Sequence, residues 1–318
     1  MVRNIFIIFA EKNKMKKGGI FLIVLCIQVN LNAQWAWDFG GGVGVSNYLG
    51  DIGGKEKTRR DFVYDMKLAK TRFNIGAFAR YKFMPDFYLK LAFDYIRIEG
   101  DDKLTTNPAR RYRNLNFRNN LFALSFTGEW VFYEDPDLGN TYRYRNSFRS
   151  YLFAGFSTFY HNPKGFYQGQ WIALRPLQTE GVVYSPINFA IPMGLGFYFT
   201  FNKKHRIGFE ATYWKTFTDY LDDISGNYPS TPPRDNLSKA MSLRTPELGP
   251  QAYADNPAVY LSHNWGQKRG DPTHKDAFLT MSLSYSYVLR GKSSFYRSKF
   301  SWFGKKSKKR VRKIRAKF

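Results

Sequence analysis

Between Trp35 and Leu289 the side chains change character at every step, in one segment after another. Trp35, Trp37, Phe39, Val43 and Val45 share one face of the first segment, and Ala36, Asp38, Gly40, Gly42 and Gly44 share the other. A period of two is the mark of a strand, whose successive side chains point to opposite sides. The same rhythm returns over 73–83, 87–95, 122–132, 189–201, 207–213 and 279–289. The stretch 151–160 is aromatic, but its faces are not distinguishable by this rule. No segment has a convincing helical period. The chain therefore reads as eight strands of roughly ten residues, the length of a tilted strand that crosses a bilayer.

The connections between strands are unequal in a regular order. Long loops follow the first, third, fifth and seventh strands, at 49–71, 100–118, 161–188 and 222–277. Short turns, Met84-Pro85-Asp86 and Asn202 to His205, follow the second and sixth, and 134–150 is intermediate. Long loops at one end and short turns at the other is the pattern of an outer-membrane barrel. The predicted fold is all-β, an eight-stranded antiparallel transmembrane β-barrel of the outer-membrane type over 34–291. An even strand count puts both termini at the short-turn, periplasmic end. The soluble alternative is a sandwich or lipocalin-like barrel with its apolar face inward. Against it, the less apolar face is rich in Gly, Ala and Ser, which suit a crowded interior. Trp37, Tyr81, Phe83, Trp130, Phe132, Tyr285 and Tyr287 gather near strand ends, as interfacial girdles do.

The 318 residues carry a formal charge of +24, but most of it is terminal. Residues 292–318 hold 12 Lys and Arg with no acid, and residues 1–33 carry +4, leaving +8 for the body. A nucleic-acid partner inferred from the total would be a reading of one tail. Lys16 and Lys17, the apolar run Ile20 to Val29 and Ala33 follow the order of a cleaved signal peptide over 1–33, with Met15 the better start. The single cysteine, Cys26, lies inside that run. The mature chain would then have no disulfide and would depend on pairing and packing.

The lumen of an eight-stranded barrel is just wide enough for side chains. Asp38, Arg80, Lys82, Lys90, Asp94, Glu129 and Glu210 fall on the inward parity. Unpaired charges there would each cost several kcal/mol, so a salt-bridged plug is expected. A protein or sugar pore through it is not. In the basic tail Trp302 precedes Lys305, Lys306, Lys308, Lys309, Arg310, Arg312 and Lys313. Such a segment suits an anionic membrane surface or an acidic periplasmic partner, with plain disorder as the default.

Catalytic signals are weak, and no catalytic residue, metal ligand or cofactor is assigned. His263 and His274 match no metal spacing. Ser157 and His161 are too far apart along one strand to touch, and Gly40 to Gly44 imitates a phosphate loop without a following helix. Asp222-Asp223 and Asp101-Asp102 are paired carboxylates of the kind that hold calcium, but ordering of the loop bases is the simpler role.

An ordered series of short stretches resembles the PorG-like family of Bacteroidota outer-membrane proteins, a component of the type IX secretion system. These are Ser-Asn-Tyr-Leu-Gly-Asp at 46–51, Gly-Asp-Asp-Lys at 100–103, Arg-Asn-Leu-Asn-Phe-Arg-Asn-Asn at 113–120 and Tyr-Leu-Phe-Ala-Gly-Phe at 151–156. Phe-Tyr-His-Asn-Pro-Lys at 159–164, Leu-Gln-Thr-Glu-Gly at 177–181 and Ala-Ile-Pro-Met-Gly at 190–194 follow. Phe-Thr-Asp-Tyr-Leu-Asp-Asp-Ile-Ser at 217–225 and Arg-Gly-Asp-Pro at 269–272 complete the series. The resemblance implies a non-enzymatic barrel that meets a periplasmic ring of a PorK-like lipoprotein and a PorN-like protein. It extends over about 35–290 and does not include the tail. Two other classes stay open: a lone small barrel of porin-like or adhesin-like type, and an outer-membrane lipid-modifying enzyme.

Overall fold

The computed structural model describes residues 37–52, 68–140 and 142–289. The signal peptide, the first two residues of the first predicted strand and the basic tail 292–318 lie outside the described residues. In chain order the strands are β1 (Trp37–Leu49), β2 (Arg72–Met84), β3 (Phe87–Asp101), β4 (Asn116–Asp135), β5 (Ser147–Tyr160), β6 (Lys164–Tyr167), β7 (Gln170–Ala173), β8 (Ile187–Phe201), β9 (His205–Thr216) and β10 (Ala277–Leu289). Eight of them close on themselves in the order β3-β2-β1-β10-β9-β8-β5-β4, with β3 pairing β4. Every pairing in this ring is antiparallel, so the fold is a closed eight-stranded antiparallel barrel with no free edge. The short hairpin β6–β7 sits in a long loop and touches the ring where Lys164 pairs Arg118 of β4.

Several strands are longer than the alternation suggests, reaching 15 residues in β3 and β8 and 20 in β4. The surplus matters because it lies where the side chains change purpose. Along the middle of the barrel the outer wall is the greasy one, with Val43 60%, Phe126 53% and Leu283 62% exposed. Toward the long loops the inward side becomes apolar as well. Tyr48, Ile96, Ile98, Phe117, Leu121, Phe159, Trp214 and Phe278 pack there against Ile52, Leu115, Leu221 and Ile224 from the loops. The lumen is thus not uniformly small or ionic, as the alternation alone implies. Where loops fold over its mouth it is filled like the core of a soluble domain.

Close packing also explains some of the inward glycines. A Cβ at Gly196 would lie 2.6 Å from the ring of Tyr151, and one at Gly40 would lie 2.7 Å from that of Phe78. These two positions let large rings lie flat across neighbouring strands.

Among the described residues the loops contain four short α-helices: α1 (Pro108–Arg113), α2 (Asn236–Ser242), α3 (Gly249–Asp255) and α4 (Pro257–Ser262). At six or seven residues each they are too short to show a helical period. The side chains of Asn107, Asp235 and Asn256 cap α1, α2 and α4 by accepting from backbone N–H groups.

Candidate functional site

Near the short-turn end, charged side chains from five strands meet in the lumen. Arg80 of β2 is the hub. Its Nη1 is 3.0 Å from Asp38 Oδ2 of β1, its Nε 2.7 Å from Glu129 Oε2 of β4 and its Nη2 3.4 Å from Glu210 Oε1 of β9. Lys90 Nζ of β3 is 2.5 Å from Glu210 Oε2 and 3.9 Å from Glu129 Oε1. Arg206 Nη1 of β9 reaches Asp38 Oδ2 at 2.5 Å, and the Tyr151 hydroxyl donates to Glu210 Oε1 at 2.6 Å. Three cations therefore balance three carboxylates. Aromatic rings close the gaps: the Arg80 guanidinium lies 5.0 Å from the Phe78 ring and 5.2 Å from that of Tyr198. A buried charge cluster is tolerable only when matched and hydrogen-bonded in this way.

Of the seven residues expected in the lumen, the structure joins Asp38, Arg80, Lys90, Glu129 and Glu210. Lys82 and Asp94 face inward but form no ion pair with a described residue. Lys82 Nζ lies 5.5 Å from the Tyr88 ring. Asp94 stands opposite Gly76, where the barrel lining is small. Arg206 shares the parity of Glu210, yet the alternation does not single it out because it stands at the edge of a short turn. Arg149 is hidden because it falls within 134–150, which the sequence reads as a connection, whereas β5 already begins at Ser147; it donates to the Tyr88 hydroxyl and pairs with Glu134 at 2.5 Å.

At the other end the four long loops are tied to one another. Arg113 pairs with Asp102 through Nε at 2.8 Å, and its Nη2 donates to the Asp51 carbonyl at 2.9 Å. Its Nη1 donates to the Arg269 carbonyl at 2.7 Å. Arg269 Nη1 in turn donates to Thr179 Oγ1, Glu180 Oε1 and the Asp223 carbonyl at 2.8, 3.1 and 2.8 Å. Asp222 accepts from the N–H groups of Ile52 and Ile224, and Asp276 from the Tyr48 hydroxyl and the Leu221 N–H. Burial and the nearness of other carboxylates hold Asp222 and Asp276 well above the usual carboxylate range. Burial also pushes Asp223 up to about 6, against the pull of Arg269 and of hydrogen bonds from Thr179 and Tyr184. Apart from Ile52 and Asp276, the tying residues come from the stretches 46–51, 100–103, 113–120, 177–181, 217–225 and 269–272, which are among those that carry the resemblance.

Several of the candidate polar side chains are held in structural contacts. Asp102, Asp222 and Asp223 are engaged in loop bonds, and among the described residues no group of three His, Cys, Asp or Glu is placed to hold a metal ion. Ser157 Oγ donates to the Leu124 carbonyl at 3.1 Å, while His161 Nε2 lies 3.0 Å from the Ser185 carbonyl. Burial depresses His161 to about 4. Gly40 to Gly44 forms the middle of β1. Trp302, Lys305, Lys306, Lys308, Lys309, Arg310, Arg312 and Lys313 lie outside the described residues.

The model of DUF6089, described as a domain of unknown function, matches residues 16–245. The chain belongs to this family. Among solved structures, the chain is similar to the outer-membrane protein OprG of Pseudomonas aeruginosa at 10% identity and a TM-score of 0.36, covering 81% of this chain and 98% of that one. It is similar to Ail, the attachment invasion locus protein of Yersinia pestis, at 12% identity and a TM-score of 0.33, covering 80% and 99%. Neisserial surface protein A aligns at 8% identity and a TM-score of 0.31, covering 80% and 96%. No curated protein matches.

Proposed function

We propose that this member of the DUF6089 family is an integral outer-membrane barrel that serves the type IX protein secretion machinery as a non-enzymatic anchor. In this reading the short-turn end and both termini face the periplasm. There they meet a ring of a PorK-like lipoprotein and a PorN-like protein. The observation that carries it is the filled lumen. An ionic plug centred on Arg80 and an apolar core around Phe278 leave the barrel its surfaces to act through. The outer wall supports the membrane location, since a continuous belt of exposed Phe, Leu, Val and Trp is stable against lipid and not against water. The ordered series of resembling stretches supports the secretion role. The basic tail 292–318 is the segment proposed to dock on the ring or on the anionic membrane surface.

An adhesin-like barrel is the second reading, favoured by the tied loops, which present a defined surface at the far end. Co-purification in mild detergent separates the two. The anchor reading expects ring proteins to follow the barrel, and loss of secreted proteins from the culture supernatant when the gene is disrupted. A barrel that purifies alone, with an unchanged supernatant, contradicts it. Deleting 292–318 tests the tail: unchanged ring recovery removes it from docking.

A further inference from the structure

Just beyond the aromatic girdle at the long-loop end, three cations stand together on the outer wall. Arg97 of β3 shares the outward parity of Phe93 and Tyr95. Its Nε donates to Asn120 Oδ1 at 3.0 Å and its Nη2 to the Tyr95 hydroxyl at 3.0 Å, and its guanidinium lies 5.1 Å from the Phe73 ring. Asn120 is its cross-strand partner. Two residues before Asn120, Arg118 stacks on Trp171 of the β6–β7 hairpin at 4.1 Å. Lys164 is the strand partner of Arg118. Among the described residues no carboxylate lies within ion-pairing distance of these three cations. The neighbouring acids are already taken: Glu99, opposite Arg118, pairs with Arg72 at 2.6 Å, and Asp101 pairs with Lys70 at 3.2 Å.

We propose that Arg97, Arg118 and Lys164 form a binding site on the barrel wall for the phosphate of a phosphorylated glycolipid in the surrounding membrane. Three features select this ligand. Guanidinium groups held by ring stacking and side-chain hydrogen bonds keep their remaining N–H donors in the fork that fits phosphate. The depth is that of headgroups. Tyr95 packs on Phe122 at 5.2 Å and on Phe73 at 5.7 Å. These aromatics mark the interface, and two residues along a strand place Arg97 about 7 Å beyond Tyr95. The apolar wall directly below, with Phe93, Leu124 and Phe122 exposed, offers a bed for acyl chains that a free phosphate would not use. The site rests on the membrane reading above.

The test uses the full chain in phosphatidylcholine nanodiscs carrying either diphosphorylated lipid A or its dephosphorylated form, with bound lipid counted by native mass spectrometry. The wild-type chain is expected to retain the phosphorylated lipid preferentially. The double variant Arg97→Gln, Arg118→Gln is expected to lose about tenfold in retention, the scale of one charge-assisted hydrogen bond. Heat-modifiable migration on gels verifies that the variant barrel is folded. Lys164→Gln, on the short hairpin, gives a second variant with a smaller loss in the same direction. Lys203→Gln, Lys204→Gln at the opposite end is expected to change nothing. Equal retention of the dephosphorylated lipid, or undiminished retention by both variants, overturns the site. Displacement by millimolar inorganic phosphate alone overturns the lipid assignment. A chain that does not enter nanodiscs at all overturns the membrane reading, and the site with it.

Discussion

The two ends of the lumen are closed by opposite means. Around Arg80 the filling is electrostatic, with three carboxylates and three cations drawn from strands on several sides of the barrel. Around Phe278 and Trp214 it is apolar, with polar loops locked above it. An ionic plug is matched pair by pair and collapses badly when one partner leaves. An apolar core loses stability in proportion to the volume removed. The plug therefore makes one register of β1, β2, β3, β4 and β9 distinctly better than its neighbours. The core instead couples the loops to the barrel beneath them.

The largest expected effect breaks the ionic end. Arg80→Met leaves Asp38, Glu129 and Glu210 without their shared partner and should cost about 3–5 kcal/mol in chemical unfolding from lipid vesicles. Adding Glu129→Gln should recover part of that loss. A near-neutral single variant would mean that the plug is hydrated and its charges are not coupled. At the apolar end, Ile98→Ala should cost about 2–5 kcal/mol by the same assay. A cost well under 1 kcal/mol would show that the core around Ile98 is loose.

Much of this contrast is legible in the sequence, and the rest is hidden for physical reasons. Parity separates inside from outside for seven strands, and it places Asp38, Arg80, Lys90, Glu129 and Glu210 on the inner wall. It does not say which of them meet, since a two-residue period fixes the face but not the height. Asp94 shares the parity of Lys90 yet stands in the small-residue middle, and Lys82 looks toward Tyr88. Strand β5 is opaque because both its faces are aromatic: Tyr151 and Phe153 pack inside around the plug while Phe156 and Tyr160 face out. The apolar core escapes the pattern because Ile98, Phe117 and Leu121 lie beyond the stretches that alternate, in strand extensions that pack against loops. The loop ties are visible only as a resemblance, since Arg113, Arg269 and Asp222 carry no spacing rule that links them.

Two smaller effects sharpen the comparison from the loop side. Arg269→Gln removes donors to Thr179, Glu180 and Asp223, and should speed hydrogen exchange over 219–226 by about tenfold without moving global unfolding. Equal losses in both would merge cap and barrel into one cooperative unit. The smallest effect is in pH. Because burial raises Asp223 to about 6, the folded loop holds a proton that the open loop gives up. Cap stability should therefore fall as pH rises from about 4 to about 6, with Asp222 and Asp276 acting in the same direction. Asp271, lowered to about 2 mainly by the hydrogen bond from the Thr273 hydroxyl, acts only below that window. Exchange over 219–226, corrected for its intrinsic rate, should be faster at pH 7 than at pH 5, and Asp223→Asn should reduce the difference, leaving the part due to Asp222 and Asp276. Protection that grows with pH would reverse the assignment.

The closed lumen is tested most directly by the conductance of the full chain in planar bilayers, with insertion verified in the same membranes. A closed lumen predicts current at the level of the bare bilayer for the inserted wild-type barrel. A steady, ohmic conductance that scales with the number of inserted molecules would contradict it.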